Sequence, residues 1–401
     1  MDVKKKERRL LFLCWLVYTV AYLGRYSVNA NIGLIMDAYA VTRTEAGLIT
    51  TCFFFAYGAG QFLNGVLARC YPKRWLFPVA LCISAGLNLA VFFGVPFPAL
   101  KYLWALNGLV QSCLWPAIVD IIGSQFDEYY SQKSVLVMST TIAIGTLIIY
   151  GCSALFVQYL NYRFSFLLGA LAMLAAGTLW LCLYSPVPLP CKAAMPGQEA
   201  SHAKKKLTAA ILLMLAMLAA VAVFDNFVKD GLQTWVPVIL RDLYKIPDSS
   251  SILLTLVLPL MGIGGASTAV ALNRRIRQPI ALCAVFCAAS FLCILGILFL
   301  KSYSIWIVLA FFAAVILLMH AINNVVTIMT PLFLRDSVDS GKMAGILNGC
   351  CYVGSTVSTV CLGRIADASG WNAVFLTLLG CMGLGVLLCC AYLLLQGRKS
   401  Y

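Results

Sequence analysis

The amino-acid sequence predicts an all-α membrane protein, with twelve transmembrane helices arranged as two halves of six. Of its 401 residues, 62% are hydrophobic and only 11% are charged, whereas a soluble domain has about half apolar and about a quarter charged residues. Apolar runs of about 20 residues, the length that crosses a bilayer as a helix, also recur along the whole chain. These two observations exclude a soluble enzyme, a secreted disulfide scaffold and a disordered protein.

Twelve apolar runs are separated by polar breaks, and we number them as spans 1 to 12. They cover approximately residues 10–36, 45–68, 76–95, 102–124, 135–158, 164–184, 207–240, 250–272, 278–300, 303–332, 342–364 and 371–396. Turn-forming pairs such as Tyr71-Pro72 and Ser369-Gly370 mark the breaks. Span 1 follows a basic N-terminus, but it is too long for the apolar region of a signal peptide. We therefore expect it to be the first membrane helix.

One break is much longer than the others and divides the chain. It is rich in proline and then basic, and six spans lie on each side of it. We therefore predict an N-terminal six-helix bundle over 1–185, a cytoplasmic linker over 186–206 and a C-terminal six-helix bundle over 207–401.

The two predicted bundles repeat a spacing of basic residues. Arg25 in span 1 precedes Arg69 by 44 residues, and Lys229 in span 7 precedes Arg274 by 45. The two cations inside predicted helices thus occupy equivalent positions. Parallel repeats of six helices are typical of the major facilitator architecture.

The distribution of basic residues predicts the orientation in the membrane. The loops on the side of the N-terminus hold 20 Lys and Arg, and those on the other side hold seven. Cytoplasmic loops carry such an excess, which accounts for the net charge of +14 without a nucleic-acid partner. We expect both termini in the cytoplasm, and the compact loops favour a bacterial plasma membrane.

The sequence contains no motif of an enzyme or of a cofactor site. It has no phosphate-binding loop of the form GxxxxGK[ST], no HExxH and no GxSxG. Its 17 cysteines are scattered through apolar runs without a CxxC pair, and there are only two histidines. We expect no catalytic residue, no metal and no cofactor, so any transport is driven by ion or solute gradients.

Arg25 is the first candidate for a functional residue, with Tyr18 and Tyr22 beside it in span 1. A charge at this depth costs at least about 2.5–3.5 kcal/mol on insertion scales, so it requires a partner or a wet cavity. In one interpretation, its planar fork of donors binds a phosphate or a carboxylate. In the other, Arg25 forms an ion pair with Asp120 or Asp225.

Lys229 is the second candidate and has two acidic neighbours. Asp225 lies one turn earlier on the same helix face, while Asp230 is about 100° away around the helix. A local pair of Lys229 with Asp225 is one interpretation. In the other, Lys229 faces Arg25 across the pseudo-twofold axis, and a dianion between the two cations relieves their repulsion. Such a site makes the empty carrier reluctant to reorient, which favours exchange.

The carboxylates of Asp120 and Asp225 also leave two interpretations open. A buried carboxylate is suited to carry a proton across the membrane, and it is equally suited to pair permanently with Arg25 or Lys229.

Polar side chains in spans 4 and 10 complete the candidate site. Gln111 and Trp115 in span 4, and Asn323, Asn324 and Thr327 in span 10, interrupt apolar runs. Each is placed either to bind substrate or to form a hydrogen bond between helices.

Five segments carry a resemblance to a known family. They are Tyr18-x-x-x-Tyr22-x-x-Arg25, Ala56-Tyr57-Gly58-x-Gly60-Gln61-Phe62-x-x-Gly65, Asn107-Gly108-x-x-Gln111-x-x-x-Trp115-Pro116, Lys229-x-Gly231-x-x-x-Trp235-x-Pro237 and Ala344-Gly345-x-x-Asn348-Gly349. With them the sequence resembles the organophosphate:inorganic phosphate antiporters of the major facilitator superfamily, which include glycerol-3-phosphate and hexose-6-phosphate exchangers. The resemblance implies exchange of a phosphorylated solute against phosphate, with Arg25 and Lys229 as the two phosphate-gripping cations.

The predicted function is therefore secondary active transport of an organic anion, most simply a phosphorylated solute exchanged for inorganic phosphate by a monomer. One alternative is proton-coupled symport of a carboxylate such as a sugar acid, with Asp225 or Asp120 carrying the proton. The other is a transporter-like receptor for sugar phosphates.

Overall fold

The structure is a computed structural model that describes residues 3–67, 71–185, 209–334 and 340–397. The predicted linker over 186–206 and Arg69 of the first basic loop lie outside the described residues.

The described chain consists of α-helices and one short π-helix, without a β-strand in those ranges. The elements are α1 (Val3–Ala30), α2 (Ile32–Tyr39), α3 (Arg43–Leu67), α4 (Lys73–Phe93), α5 (Phe97–Gln111), α6 (Leu114–Gln125), α7 (Glu128–Tyr159), α8 (Phe164–Leu183), α9 (Ala209–Tyr244), α10 (Asp248–Leu254), α11 (Val257–Asn273), α12 (Pro279–Leu300), α13 (Ile305–Asn324), the π-helix (Val325–Met329), α14 (Thr330–Phe333) and α15 (Ser340–Gly397). The predicted all-α fold is confirmed.

Eleven helical segments of the described chain are long and apolar enough to cross a membrane. The last of them belongs to α15, whose 58 residues contain Gly370 with φ 73° and ψ −179°, a non-helical conformation. At 1.5 Å per residue, α15 is roughly 87 Å of helix, far longer than the bilayer core of about 30 Å. The kink at Gly370 therefore separates the predicted spans 11 and 12, and it needs glycine because φ is positive.

Two predicted spans are interrupted where the sequence alone predicts continuous helices. Span 4 breaks between α5 and α6, and span 8 breaks between α10 and α11. In both cases a proline, Pro116 or Pro259, is the third residue of the helix after the break. Because proline has no N–H, it cannot bond the carbonyl four residues earlier, on Ser112 or Thr255.

The helices group into two compact units, each with its own core. By chain range, unit 1 comprises Met1–Ile35, Cys52–Ser201 and Asp248–Pro259, and unit 2 comprises Met36–Thr51, His202–Pro247 and Leu260–Tyr401. The beginning of α3 thus groups with unit 2 and α10 with unit 1. The predicted boundaries of the two bundles at 185 and 207 stay a prediction.

In unit 1, α1 packs against α7 and α8, and α4 packs against α8. Small residues allow this close approach: a Cβ on Gly24 would lie 2.5 Å from the side chain of Met173. The rings of Phe77 and Trp180 meet at 4.3 Å between centroids in the same core. Close packing in membranes depends on such small residues, and it places the polar face of α1 inside the unit.

In unit 2, α9 packs along α15, and α12 packs against both α13 and α15. A Cβ on Gly354 would lie only 2.1 Å from the carbonyl oxygen of Val223, so α15 and α9 nearly touch at that level. The indole of Trp235 donates a hydrogen bond to the carbonyl of Thr359 at 3.0 Å. This bond joins the same two helices at a second point.

Candidate functional site

Arg25 lies inside unit 1 with 7% of its surface exposed. Its Nε donates a hydrogen bond to Oε1 of Gln111 at 3.3 Å, while its Nη2 is buried without a hydrogen-bond partner. No ion pair joins Arg25 to a carboxylate anywhere in the described ranges. A buried guanidinium in this state has donors available for an anion.

Aromatic rings surround the guanidinium. Its Cζ lies 4.4 Å from the ring centroid of Tyr57, 4.7 Å from that of Tyr22 and 5.2 Å from that of Phe53. Aromatic faces attract a cation without neutralising it. We call these three residues, Arg25 and Gln111 the Arg25 cluster.

A close helix crossing places Gln111 in this cluster. A Cβ on Gly108, one turn before Gln111, would lie 2.4 Å from the carbonyl oxygen of Phe53, so α5 contacts the backbone of α3 there. Nε2 of Gln111 donates to Oδ1 of Asn107 at 3.0 Å, which fixes the orientation of the amide. Its Oε1 is thereby directed to Arg25.

Tyr18 and Trp115 lie beside the cluster rather than in it. The ring of Tyr18 contacts those of Tyr22 and Trp115, each at 5.1 Å between centroids. The hydroxyl of Tyr22 donates to that of Tyr18 at 3.5 Å. The structure thus places Tyr22 and Gln111 against Arg25, with Tyr18 and Trp115 next to Tyr22.

Asp120 does not pair with Arg25. Its carboxylate lies 3.0 Å from Nζ of Lys73, and a quarter of the side chain is exposed. The alternative in which Arg25 pairs with Asp120 is therefore wrong, because Lys73 at the start of α4 reaches Asp120 on α6.

Lys229 lies on α9 in unit 2, with 13% of its side chain exposed. Its Nζ donates to Oδ1 of Asn226 at 2.5 Å and lies 3.8 Å from Oδ1 of Asp230. The pair with Asp225 expected from the helical spacing is not formed. The lysine stem is long enough to bend toward the adjacent residue, so the 100° between neighbouring positions does not keep Lys229 and Asp230 apart.

Both partners of Lys229 are tied to neighbouring helices. Asp230 accepts a hydrogen bond from the hydroxyl of Ser355 on α15 through its Oδ2. Asn226 accepts one at 3.4 Å from Nδ2 of Asn323 on α13 through its Oδ1. We call these five residues the Lys229 cluster.

Asp225 is fully buried beside this cluster. Its Oδ2 accepts a hydrogen bond from Nδ2 of Asn226 at 3.3 Å, and its Oδ1 has no hydrogen-bond partner. No salt bridge joins Asp225 to a cation of the described chain. A carboxylate oxygen without a donor is costly at such a place.

Asn324 and Thr327 are outside the Lys229 cluster. The Asn324 side chain has no hydrogen bond to any described residue, and the hydroxyl of Thr327 bonds the backbone carbonyl of Asn323 at 2.7 Å. The π-helix begins directly after Asn324, and π-helical turns are frequent at functional sites. Of the three polar candidates in span 10, Asn323 is the one that belongs to the Lys229 cluster.

The sequence analysis did not identify five residues of the two clusters as contacts of Arg25 or Lys229. They are Phe53, Tyr57, Asn226, Asp230 and Ser355. The i, i+4 spacing of Phe53 and Tyr57 was a usable signal, since it places both rings on one face of a helix. For Ser355 no signal existed, because only the packing of α15 on α9 brings it to Asp230.

An apolar groove of about 480 Å³ also lies in unit 1, along α3, α4 and α5, and is lined in part by Asn64 and Trp75. None of the residues of the Arg25 cluster lines it. Within the described ranges, no group of three or more His, Cys, Asp or Glu side chains is placed to hold a metal ion.

The described chain has eleven membrane-length helical segments, the last of them kinked at Gly370, and a buried cation in each unit, which together define a polytopic membrane protein. The chain belongs to the Major Facilitator Superfamily, because the model of that family matches residues 14–338.

Two relatives with assigned names show which members of the superfamily this chain resembles. The chain is 21% identical over 421 residues to a probable hexose phosphate transport protein of Chlamydia pneumoniae, covering 96% of this chain and 92% of that protein. It is 31% identical over 140 residues to sugar phosphate exchanger 3 of Homo sapiens, covering 33% of this chain and 28% of that protein. These relatives confirm the resemblance that the motifs indicate.

The fold is also found among solved structures. The crystal structure of a D-xylose-proton symporter matches with a TM-score of 0.78 over 96% of this chain and 97% of that one, at 13% sequence identity. This likeness confirms the major facilitator fold.

Proposed function

We propose that this transporter carries a phosphorylated organic anion and exchanges it for inorganic phosphate by alternating access. The observation that carries the proposal is the state of Arg25, a buried guanidinium without an acidic partner in the described chain and with an unbonded Nη2. The relatives named for hexose phosphate and sugar phosphate support the same substrate class.

The chemistry of Arg25 favours a phosphoryl group. A guanidinium presents parallel N–H donors that match two oxygens of a phosphate or carboxylate. Gln111 accepts the hydrogen bond of the Arg25 Nε–H. The N–H groups of the two terminal nitrogens are therefore the donors that bind the anion. The surrounding rings exclude water, which strengthens a charged hydrogen bond at that edge.

Lys229 supplies a second cation in the proposal. An ammonium has three donors, and among the described residues Nζ of Lys229 contacts Asn226 and Asp230. One donor is therefore available to an oxygen of a bound anion. We propose Tyr22, Tyr18, Gln111 and Trp115 as neighbours of an anion at Arg25, and Asn323, in preference to Asn324, as a neighbour of an anion at Lys229.

Exchange is the expected mode because Arg25 is uncompensated. A buried cation without a counter-charge is costly, so an anion-free carrier reorients slowly, while an anion-loaded one does not carry that cost.

The test is uptake of radiolabelled phosphate into proteoliposomes preloaded with unlabelled phosphate, without a pH or voltage gradient. We expect rapid uptake that glycerol-3-phosphate or a hexose phosphate inhibits. Absence of exchange from correctly folded protein would contradict the proposal.

A matched pair of variants tests the role of Arg25. Arg25→Lys keeps the charge but removes the planar fork, so exchange should fall by at least about tenfold, as expected for the loss of one hydrogen bond to a charged group. Arg74→Lys makes the same change at an exposed arginine of unit 1 and should leave exchange unaltered. Equal activity of the two variants would exclude Arg25 as an anion ligand.

Asp225 favours a second candidate, proton-coupled symport of a carboxylate. Its buried Oδ1 without a donor is a site where a proton relieves a cost. In that mechanism an inward pH gradient drives net uptake, and Asp225→Asn abolishes the response to the gradient. In the exchange mechanism, phosphate exchange persists in Asp225→Asn.

A further inference from the structure

The two cations differ in a way that bears on how strictly the transporter exchanges its substrates. Arg25 has no carboxylate partner in the described chain, whereas Lys229 has the carboxylate of Asp230 at 3.8 Å. One cation is uncompensated and the other has an anion of its own. This difference lies within the protein and needs no bound substrate.

We infer that Asp230 is an internal substitute for the transported anion at Lys229, and that it sets how far the carrier reorients without substrate. The inference rests on the proposed function, in which Lys229 binds an oxygen of the substrate. A carboxylate oxygen and a phosphoryl oxygen make the same kind of charged contact with an ammonium. Asp230 and a substrate therefore compete for Lys229.

The position of Asp230 is fixed by a second contact. Its Oδ2 accepts a hydrogen bond from Ser355 of α15, and Asp230 is only 6% exposed. Gly354, next to Ser355, allows α15 to lie against α9, because a Cβ there would come within 2.1 Å of the carbonyl oxygen of Val223. The carboxylate is held beside Lys229 and cannot turn away into solvent.

Lys229 is held from the other side by an uncharged partner. Asn226 accepts from its Nζ and is itself bonded by Asn323 of α13. The amide positions the ammonium but does not compensate its charge. Asp225 on the same helix makes no salt bridge with Lys229, so Asp230 is the acidic group in direct contact.

The consequence concerns the empty carrier. With Asp230 in place, Lys229 does not require a substrate to be compensated, and only Arg25 does. Without the charge of Asp230, Lys229 has no carboxylate within 4 Å in the described chain, so the substrate binds more tightly and the empty carrier reorients less.

The experiment compares two fluxes from proteoliposomes loaded with labelled phosphate. Efflux into buffer with unlabelled phosphate measures exchange, and efflux into phosphate-free buffer measures reorientation of the empty carrier. We expect Asp230→Asn to raise the ratio of exchange to net efflux roughly tenfold, toward the lower end of the couplings found between sites. Binding of phosphate should become tighter by a similar factor.

Two further variants separate this role from a structural one. Asp230→Glu keeps the charge and should restore a ratio near that of the unaltered protein, which a merely damaged helix contact would not do. Asp37→Asn also removes one carboxylate of unit 2 from an ion pair, with Arg241 at 2.7 Å, and should leave the ratio unchanged.

If Asp230→Asn does not fold, Ser355→Ala provides the test. It keeps the charge of Asp230 but releases it from α15, so the ratio should rise about two- to threefold, as for the loss of one hydrogen bond. If the variant that folds shows no rise in the ratio of exchange to net efflux, the inference is overturned. Absence of phosphate exchange in the unaltered protein would instead overturn the proposed function.

Discussion

Arg25 and Lys229 carry the same charge but lie among different neighbours. Arg25 is enclosed by three rings and one amide, and Lys229 by an amide and a carboxylate. Rings orient a cation and leave its charge available, while a carboxylate cancels much of it. Arg25 is therefore the stronger candidate for the principal anion ligand.

The first prediction concerns the ring nearest to Arg25. Tyr57→Leu removes a face 4.4 Å from the guanidinium and should weaken phosphate binding by about 1–2 kcal/mol, the range for a desolvated cation–π contact. Tyr57→Phe keeps the ring and removes the hydroxyl, which accepts a hydrogen bond from Gln61 at 2.9 Å, so its affinity for phosphate should be closer to that of the unaltered protein. Equilibrium binding of labelled phosphate to the purified protein measures both. A Phe variant as weak as the Leu variant would argue against the cation–π contact.

The second prediction concerns Asp120. Because it pairs with Lys73 and is a quarter exposed, its charge is compensated outside the Arg25 cluster. Asp120→Asn should leave the pH dependence of transport unchanged, and it should lower the free energy of unfolding by about 1–3 kcal/mol, because the ammonium of Lys73, whose side chain is only 10% exposed, loses this acceptor. Uptake measured across a pH series checks this. A shifted pH profile would return Asp120 to the candidates for a proton carrier.

At the scale of helices, the start of α3 depends on a residue far away in the chain. Asp367 of α15 accepts hydrogen bonds from the backbone N–H of Arg43 at 3.2 Å and of Thr44 at 2.8 Å, and from the Thr44 hydroxyl at 2.7 Å. The first N–H groups of a helix lack internal partners. Asp367 therefore caps α3 from another helix.

The third prediction follows from this cap. Asp367→Ala should lower the free energy of unfolding by about 1–3 kcal/mol, because it leaves helix N–H groups without an acceptor, and a thermal-shift measurement in detergent should show a lower Tm. Asp37→Ala removes an acid whose side chain is 59% exposed and should change Tm little. Equal effects of the two would mean that surface charge, and not capping, is responsible.

The fourth prediction concerns the crossing of α5 and α3. Gly108→Ala places a Cβ 2.4 Å from the carbonyl oxygen of Phe53, so the helices must separate and Gln111 must move away from Arg25. We expect both Tm and phosphate exchange to fall. Gly86→Ala is the matched control, since nothing lies within 4 Å of its added Cβ. Unchanged exchange in Gly108→Ala would show that Gln111 does not need this crossing.

At the scale of the whole molecule, the excess of basic residues predicts the orientation. Both termini should face the cytoplasm, and the loop at Lys301, between α12 and α13, should face the other side. Epitope tags at either terminus should become accessible to antibody only after permeabilisation, and a tag at Lys301 without it. The reverse pattern would invert the proposed topology.

Much of the fold was predictable from the sequence because a bilayer imposes a simple rule. A run of about 20 apolar residues must form a helix, since every backbone group has to be bonded within it. The membrane helices followed from that rule, and the turn-forming pair Ser369-Gly370 predicted the break at Gly370; both are confirmed. The interruptions before Pro116 and Pro259 did not follow from the rule, because a proline in an apolar run either kinks a helix or ends it.

The clusters were only partly predictable for a related reason. Arg25, Lys229, Tyr22 and Gln111 stand out because polar residues are costly inside apolar helices. Their partners depend on which helices touch, and helical spacing selected Asp225 for Lys229 when the bound acid is Asp230.

The sequence by itself thus determined that the chain spans the membrane as helices and which residues are buried charges, because both follow from the cost of polar groups in lipid. The tertiary structure decided which charges are compensated. That depends on distances of a few ångströms between helices remote in the chain, as between Lys73 and Asp120 or between Asp230 and Ser355, and local sequence does not contain those distances.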